Sequence, residues 1–161
     1  MCGQIKVGRK AFVVCDPEKC VGCQICEYVC SLKKEGVFNP TKSRIRVIRI
    51  DYPPTNMAIA CRKCEDPPCV QACPRQGTLV QRSDGLIIVD EDKCNGCGWC
   101  IEACDFGAIG LHPEGRVAVI CDTCGGEPEC IKWCPEEALS LITKDILAQK
   151  ARIDVIKTLK Y

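Results

Sequence analysis

The sequence predicts an α+β chain in which one short unit is used four times: a strand, a run of cysteines, a turn of helix and a second strand. Three observations carry this prediction. Sixteen of the eighteen cysteines fall into four runs of four. A short apolar stretch precedes every run, and an extended stretch follows each one.

AFVVC reads as the first strand and leads into CVGCQICEYVC, where Cys20, Cys23, Cys26 and Cys30 have the spacing C-x2-C-x2-C-x3-C. About one turn of helix is expected after the fourth cysteine, and then SRIRVIRI as a strand. The connection SLKKEGVFNPTKSRIRVIRIDYPPTN holds Pro40, Pro53 and Pro54 and reads as extended. MAIA introduces the second run, Cys61, Cys64, Cys69 and Cys73, with its middle gap widened to four residues, and GTLVQR follows. QRSDGL supplies a hairpin turn into LIIV. That strand introduces Cys94, Cys97, Cys100 and Cys104, which repeat the first spacing. GAIGL, the turn LHPEGRV and the strand VAVI lead to Cys121, Cys124, Cys130 and Cys134, with a middle gap of five, and ALSLI closes the repeat. In the tail TKDILAQKARIDVIKTLKY, Ile146, Ile153 and Ile156, or Leu147, Ala151 and Val155, recur at helical offsets and predict an amphipathic helix.

A chain of 161 residues is long enough for a core, yet only 5% of it is aromatic. Cysteine at this density in a secreted chain would imply a disulfide scaffold. MCGQIKVGRKAFVVC lacks the apolar centre of a signal peptide, and no stretch approaches the roughly 20 apolar residues of a membrane span. The expectation is therefore a cytoplasmic chain with reduced thiols, which makes metal the better use for them. A net charge of +1 gives no support for nucleic-acid binding. His112, the only histidine, excludes a histidine-based dyad and is expected to be a solvated turn residue. No nucleophile, acid–base pair, phosphate loop or flavin motif stands out, so no catalytic residue is assigned. Cys15 reads as a buried structural thiol and Cys2 as a terminal one. Trp99 and Trp133, each directly before a ligand, are expected to pack as an apolar shell. Lys42, Arg44, Arg46 and Arg49 read as a charged strand edge or as a face for an acidic partner.

Three thiols spaced by two residues wrap one corner of a cubane, and the fourth crosses to a second cluster. Zinc instead takes two separated C-x2-C pairs, and would make poor use of three evenly spaced thiols. The expected cofactors are four 4Fe-4S clusters. Because each oxidised cluster with its thiolates carries about −2, they would bring the chain to roughly −7.

The motifs CVGCQICEYVC, CRKCEDPPCVQACP, CNGCGWCIEAC and CDTCGGEPECIKWCP, in that order, resemble the four-cluster ferredoxin-type subunits of the dimethyl sulfoxide reductase iron–sulfur subunit family. The likeness runs from about Phe12 to Ile142. Pro74 and Pro135 follow the second and fourth runs as the pattern expects, whereas Ser31 and Asp105 replace that proline in the first and third. The short chain is also similar to small subunits of tungsten-dependent aldehyde oxidoreductases.

The resemblance implies an electron-transfer subunit serving a larger catalytic oxidoreductase subunit and a second redox partner, a ferredoxin or flavin subunit. It implies two nested ferredoxin-like modules, with an inner one of about 58–112, an outer one of about 11–57 with 113–142, and a tail of 143–161. The nested order assigns Cys20, Cys23, Cys26 and Cys134 to one cluster, and Cys61, Cys64, Cys69 and Cys104 to a second. Cys94, Cys97, Cys100 and Cys73 take a third, and Cys121, Cys124, Cys130 and Cys30 a fourth. A tandem order, a free polyferredoxin and a zinc-stabilised interaction module are the alternatives.

Overall fold

The structure is a computed structural model that describes residues 10–158. Cys2 lies outside them. All eight expected strands form, each three to five residues long: β1 (Phe12–Cys15), β2 (Arg46–Ile50), β3 (Thr55–Ile59), β4 (Leu79–Gln81), β5 (Ile87–Val89), β6 (Ile109–Leu111), β7 (Ala118–Ile120) and β8 (Leu139–Ile142). They make four antiparallel pairs. Three are local hairpins, β2–β3, β4–β5 and β6–β7, while β1 near the start of the chain pairs with β8 near its end, Phe12 opposite Ile142. The chain thus closes on itself around its middle portion.

The helical turns differ from expectation in position. α1 (Ile25–Glu35), α2 (Pro68–Gln71), α3 (Trp99–Glu102) and α4 (Glu129–Lys132) each contain the third cysteine of a run rather than following the fourth. The C-x3-C spacing is an i,i+4 relation, so a turn of helix is the local conformation that brings the third and fourth thiols to one side. α1 alone continues past its fourth cysteine. It ends at Gly36, whose φ of 70° needs no Cβ and whose N–H bonds Leu32 O at 3.0 Å. Fully buried Ser31 sits in that helix, its Oγ bonding Tyr28 O and accepting from Asn39 N. A proline there would break α1, which explains the departure at that position.

Two cores result. One gathers Val13, Ile45, Ala58, Ala60, Ala138 and Leu139 around Cys26, Cys30, Cys121 and Cys130. The other gathers Leu79, Ile87, Ile109, Ala118 and Ile120 around Cys69 and Cys100. Cys61 packs against both. Strands trade sides at the seam, since β3 lies with the first core and β7 with the second.

Polar and cationic side chains tie the halves together. The Arg62 guanidinium stands 5.5 Å from the ring centres of both Phe12, on β1, and Phe106, after the third run. Replacing Arg62 by alanine is expected to destabilise the holoprotein by about 1 kcal/mol, roughly 2–4 °C in anaerobic thermal melts. The basic residues near β2 are engaged within the chain. Lys42 pairs with Glu114 at 2.8 Å, Arg44 with Glu35 at 3.6 Å, and Arg46 and Arg49 donate to the carbonyls of Pro40 and Gly22. Lys42, Arg44 and Arg46 are half-buried and Arg49 is exposed, and all four clasp other parts of the chain. His112 is also drawn in. Its Nδ1 accepts from the N–H groups of Glu114 and Gly115, leaving Nε2 3.6 Å from Glu35.

The tail forms α5 (Lys144–Thr158), but not as an amphipathic helix. Ile146 and Leu147 are half-buried, whereas Ile153, Val155 and Ile156 are exposed. With 100° per residue, these side chains point around the helix rather than along one stripe. Among the described residues no helix is long and apolar enough to cross a membrane.

Candidate metal centre

The cysteine loops are shaped by the residue just before the second thiol. Gly22 and Gly96 hold this place in the first and third runs with φ of 69° and 67°. At Gly96 a Cβ would come within 2.0 Å of Arg116 O, so only glycine fits. Lys63 and Thr123 hold the same place in the second and fourth runs, also at positive φ, 49° and 56°. A non-glycine residue in this left-handed region costs about 1–2 kcal/mol. The repeat therefore keeps its loop geometry in all four runs and accepts strain in two of them.

These loops bring thiols from distant runs together. Cys20, Cys23 and Cys26 line a void with Cys134; Cys61, Cys64 and Cys69 line one with Cys104; Cys94, Cys97 and Cys100 line one with Cys73. The space free of protein atoms is about 340, 380 and 320 Å³, part of it open to solvent. The remaining thiols are neighbours too. Cys30 stands close enough to raise the pKa of both Cys121 and Cys130, and Cys124 also acts on Cys130.

The donor set fits a polynuclear cluster. Among the described residues no three Cys, His, Asp or Glu side chains converge closely enough for a single metal ion, so the thiols ring a space instead of meeting at a point. All cysteines among the described residues are free thiols. Burial pushes Cys26, Cys69 and Cys121 up to about 12 and Cys130 higher still, which favours the neutral thiol until a cation arrives to take the thiolate. Metal loading is therefore also deprotonation. Backbone donors are already aimed at sulfur: Arg44 N–H at Cys30 Sγ, 3.3 Å, and Ala118 N–H at Cys94 Sγ, 3.4 Å.

The sites differ in exposure. Cys23 and Cys97 are the exposed thiols among the described residues. Trp99 and Trp133, expected as buried packing, are 61% and 63% exposed. Trp99 directly precedes Cys100 on α3, so with Cys100 facing inward it turns outward, while Trp133 lies just past the end of α4. Cys15 is buried, with its thiol raised to about 11 mainly by burial, and it lines none of the three voids.

Lys63 and Thr123 were not singled out by their sequence. Both are buried, and Lys63 Nζ donates to Thr123 Oγ1 at 3.3 Å. The signal that would find them is the repeat itself, since glycine occupies their position in the other two runs.

Residues 54–144 match the family described as 4Fe-4S dicluster domain. The chain is 41% identical over 142 residues to the polyferredoxin-like subunit of aliphatic sulfonate oxidoreductase of Pyrococcus furiosus, covering 86% of this chain and 81% of that one. It is 33% identical to the probable anaerobic dimethyl sulfoxide reductase chain YnfG of Escherichia coli, covering 84% and 74%. A chain in the structure of the active site complex BamBC of benzoyl coenzyme A reductase superposes with a TM-score of 0.50 over 92% of this chain and 90% of that one. At 24% identity, this likeness concerns the fold.

Proposed function

The chain belongs to the 4Fe-4S dicluster domain family, and from that premise we propose that it carries four 4Fe-4S clusters that relay single electrons between a larger catalytic oxidoreductase subunit and a second redox partner. Its general role is that of an iron–sulfur electron-transfer subunit within an oxidoreductase complex, and it is not itself the catalyst. When bound, the clusters supply one-electron chemistry.

What supports the count and the ligands is the grouping of thiols from different runs around three shared spaces, together with the closeness of Cys30 to Cys121 and Cys130. The proposed sets are Cys20, Cys23, Cys26 and Cys134; Cys61, Cys64, Cys69 and Cys104; Cys94, Cys97, Cys100 and Cys73; and Cys121, Cys124, Cys130 and Cys30. Two nested units follow from them, about 58–112 inside and 11–57 with 113–142 outside, β3 and β7 lying against each other's cores. Cys61 is a neighbour of Cys121, so the second and fourth sets meet at the seam, with the first and third at the two ends. The exposed thiols Cys23 and Cys97 belong to those end sets, and the exposed Trp133 and Trp99 directly precede Cys134 and Cys100 of the same sets. Electrons then enter at one end and leave at the other.

We assign the catalytic partner to the tungsten- or molybdenum-dependent aldehyde oxidoreductase type, and the second partner to a ferredoxin or a flavin subunit. The likeness to a polyferredoxin-like subunit of aliphatic sulfonate oxidoreductase favours an oxidoreductase as the catalytic partner. We place the chain in the cytoplasm, where its thiols would stay reduced until clusters are assembled on them.

The test is anaerobic purification of the chain alone and with its partner. About sixteen irons and sixteen labile sulfides per chain are expected. The isolated chain should be bleached by dithionite yet turn over no aldehyde, formate or sulfonate, activity appearing only when the larger subunit is added. Stoichiometric zinc with little sulfide, or turnover by the single chain, would overturn the reading.

A further inference from the structure

Lys63 is a long basic side chain that the fold buries to 6% exposure, between two thiols of the same CRKC loop. Burying an ammonium is costly unless something compensates. Among the described residues its ammonium donates to a neutral hydroxyl, Thr123 Oγ1 at 3.3 Å, and that hydroxyl in turn donates to Asp122 O at 2.6 Å. The carboxylates whose charge reaches it are Asp84 and Asp122, and both also pair with another cation, Asp84 with Arg82 and Asp122 with Lys34 at 2.6 Å. The other charges that face it are the thiols of Cys61 and Cys121. The two ends of this contact, Lys63 and Thr123, are equivalent positions of the repeat, each held at positive φ where the other runs use glycine. Strain is thus accepted at both ends of a single bridge across the seam. Glycine would relieve the strain, but it would also remove the bridge.

A buried cation whose facing carboxylates are each paired with another cation stands between thiols of two different sets, where anionic clusters would compensate it. We propose that the Lys63 ammonium is a fixed positive charge shared by the two central cluster sites, making the clusters held there easier to reduce than those at the two ends. The inference rests on the four-cluster reading above. Positive charge stabilises the reduced, more negative form of a nearby cluster, and at an effective dielectric well below that of water it acts over the few ångströms of the seam and fades towards the exposed ends. Lys63 is accordingly a positioning charge, not a ligand.

Potentiometric titration of the holoprotein, followed by electron paramagnetic resonance, tests this with Lys63→Met, Lys63→Gln and Lys63→Arg. In both neutral variants, two of the four cluster signals should become at least tenfold harder to reduce, a fall of about 59 mV for a one-electron couple, with the other two unmoved. Lys63→Arg should restore the wild-type values. If the neutral variants lose two clusters outright and arginine restores them, the charge is again what the seam requires. Four unchanged potentials, a uniform shift of all four, or cluster loss that arginine does not rescue would overturn the assignment. Iron and sulfide analysis of wild-type protein separates the two failures: fewer than four clusters there would remove the functional reading itself, whereas a full complement with unmoved potentials removes only the role of Lys63.

Discussion

Stripping iron from the holoprotein with a chelator under anaerobic conditions is expected to abolish its folded structure. The reason lies in what fills the cores. Phe12 and Ile45 are the large apolar side chains that are fully buried, and much of the remaining core consists of alanine and of cysteines themselves. The strands are three to five residues long and each sheet has two of them, which gives little independent stability. Without metal the thiol-lined spaces become voids beside an already small core, and a void forfeits the packing of the groups around it. Metal binding and folding are then one event. Far-ultraviolet circular dichroism should lose its cooperative thermal transition, and amide exchange should become fast throughout. A cooperative transition in iron-free protein would refute this account.

The second large effect concerns the fourth cysteine of a run. Cys30→Ser is expected to cost about four irons, and the resonance signal it removes should be the one that Cys121→Ser removes, not the one that Cys20→Ser removes. Cys134→Ser should behave reciprocally, matching Cys20→Ser. The physical ground is the neighbourhood of the thiols. Cys134 lines the void of Cys20, Cys23 and Cys26, and Cys30 raises the pKa of Cys121 and Cys130. If Cys30→Ser and Cys61→Ser remove the same signal, the two units follow one another along the chain instead.

The strands were legible because each is an apolar run bounded by turn residues, and SDG and PEG turn where hairpins were expected. The helical turns were placed one cysteine too late. Ligand spacing had been read only as a loop around a cluster, whereas C-x3-C is also a helical interval: α1 spans it, and α2 to α4 hold its first cysteine and end two residues before its second. Exposure was harder to read. A tryptophan beside a ligand looks buried in one dimension, but alternate faces of a single helical turn send Cys100 inward and Trp99 outward. The arginines near β2 illustrate the same limit: their partners, Glu35 and the carbonyl of Gly22, lie in another part of the sequence. Lys63 and Thr123 are instructive in a different way. Alignment of the four runs on one another marks them at once as the places where glycine is missing, yet their contact depends on how two loops meet across the seam.

The pairing of β1 with β8 bears on how the protein is made. As the chain leaves the ribosome, β4 meets β5 and β6 meets β7 within a few residues, so these local hairpins close early. β1 emerges before any of them, yet its hydrogen-bonding edge waits for β8, since Phe12 pairs with Ile142. During that interval the edge and the thiols of the first run are open to oxidation and to wrong strand pairing, hazards that grow with the time a partner takes to arrive. Nascent chains truncated before β8 should therefore need protection by chaperone or scaffold proteins most acutely at their amino-terminal end, although that end was synthesised first.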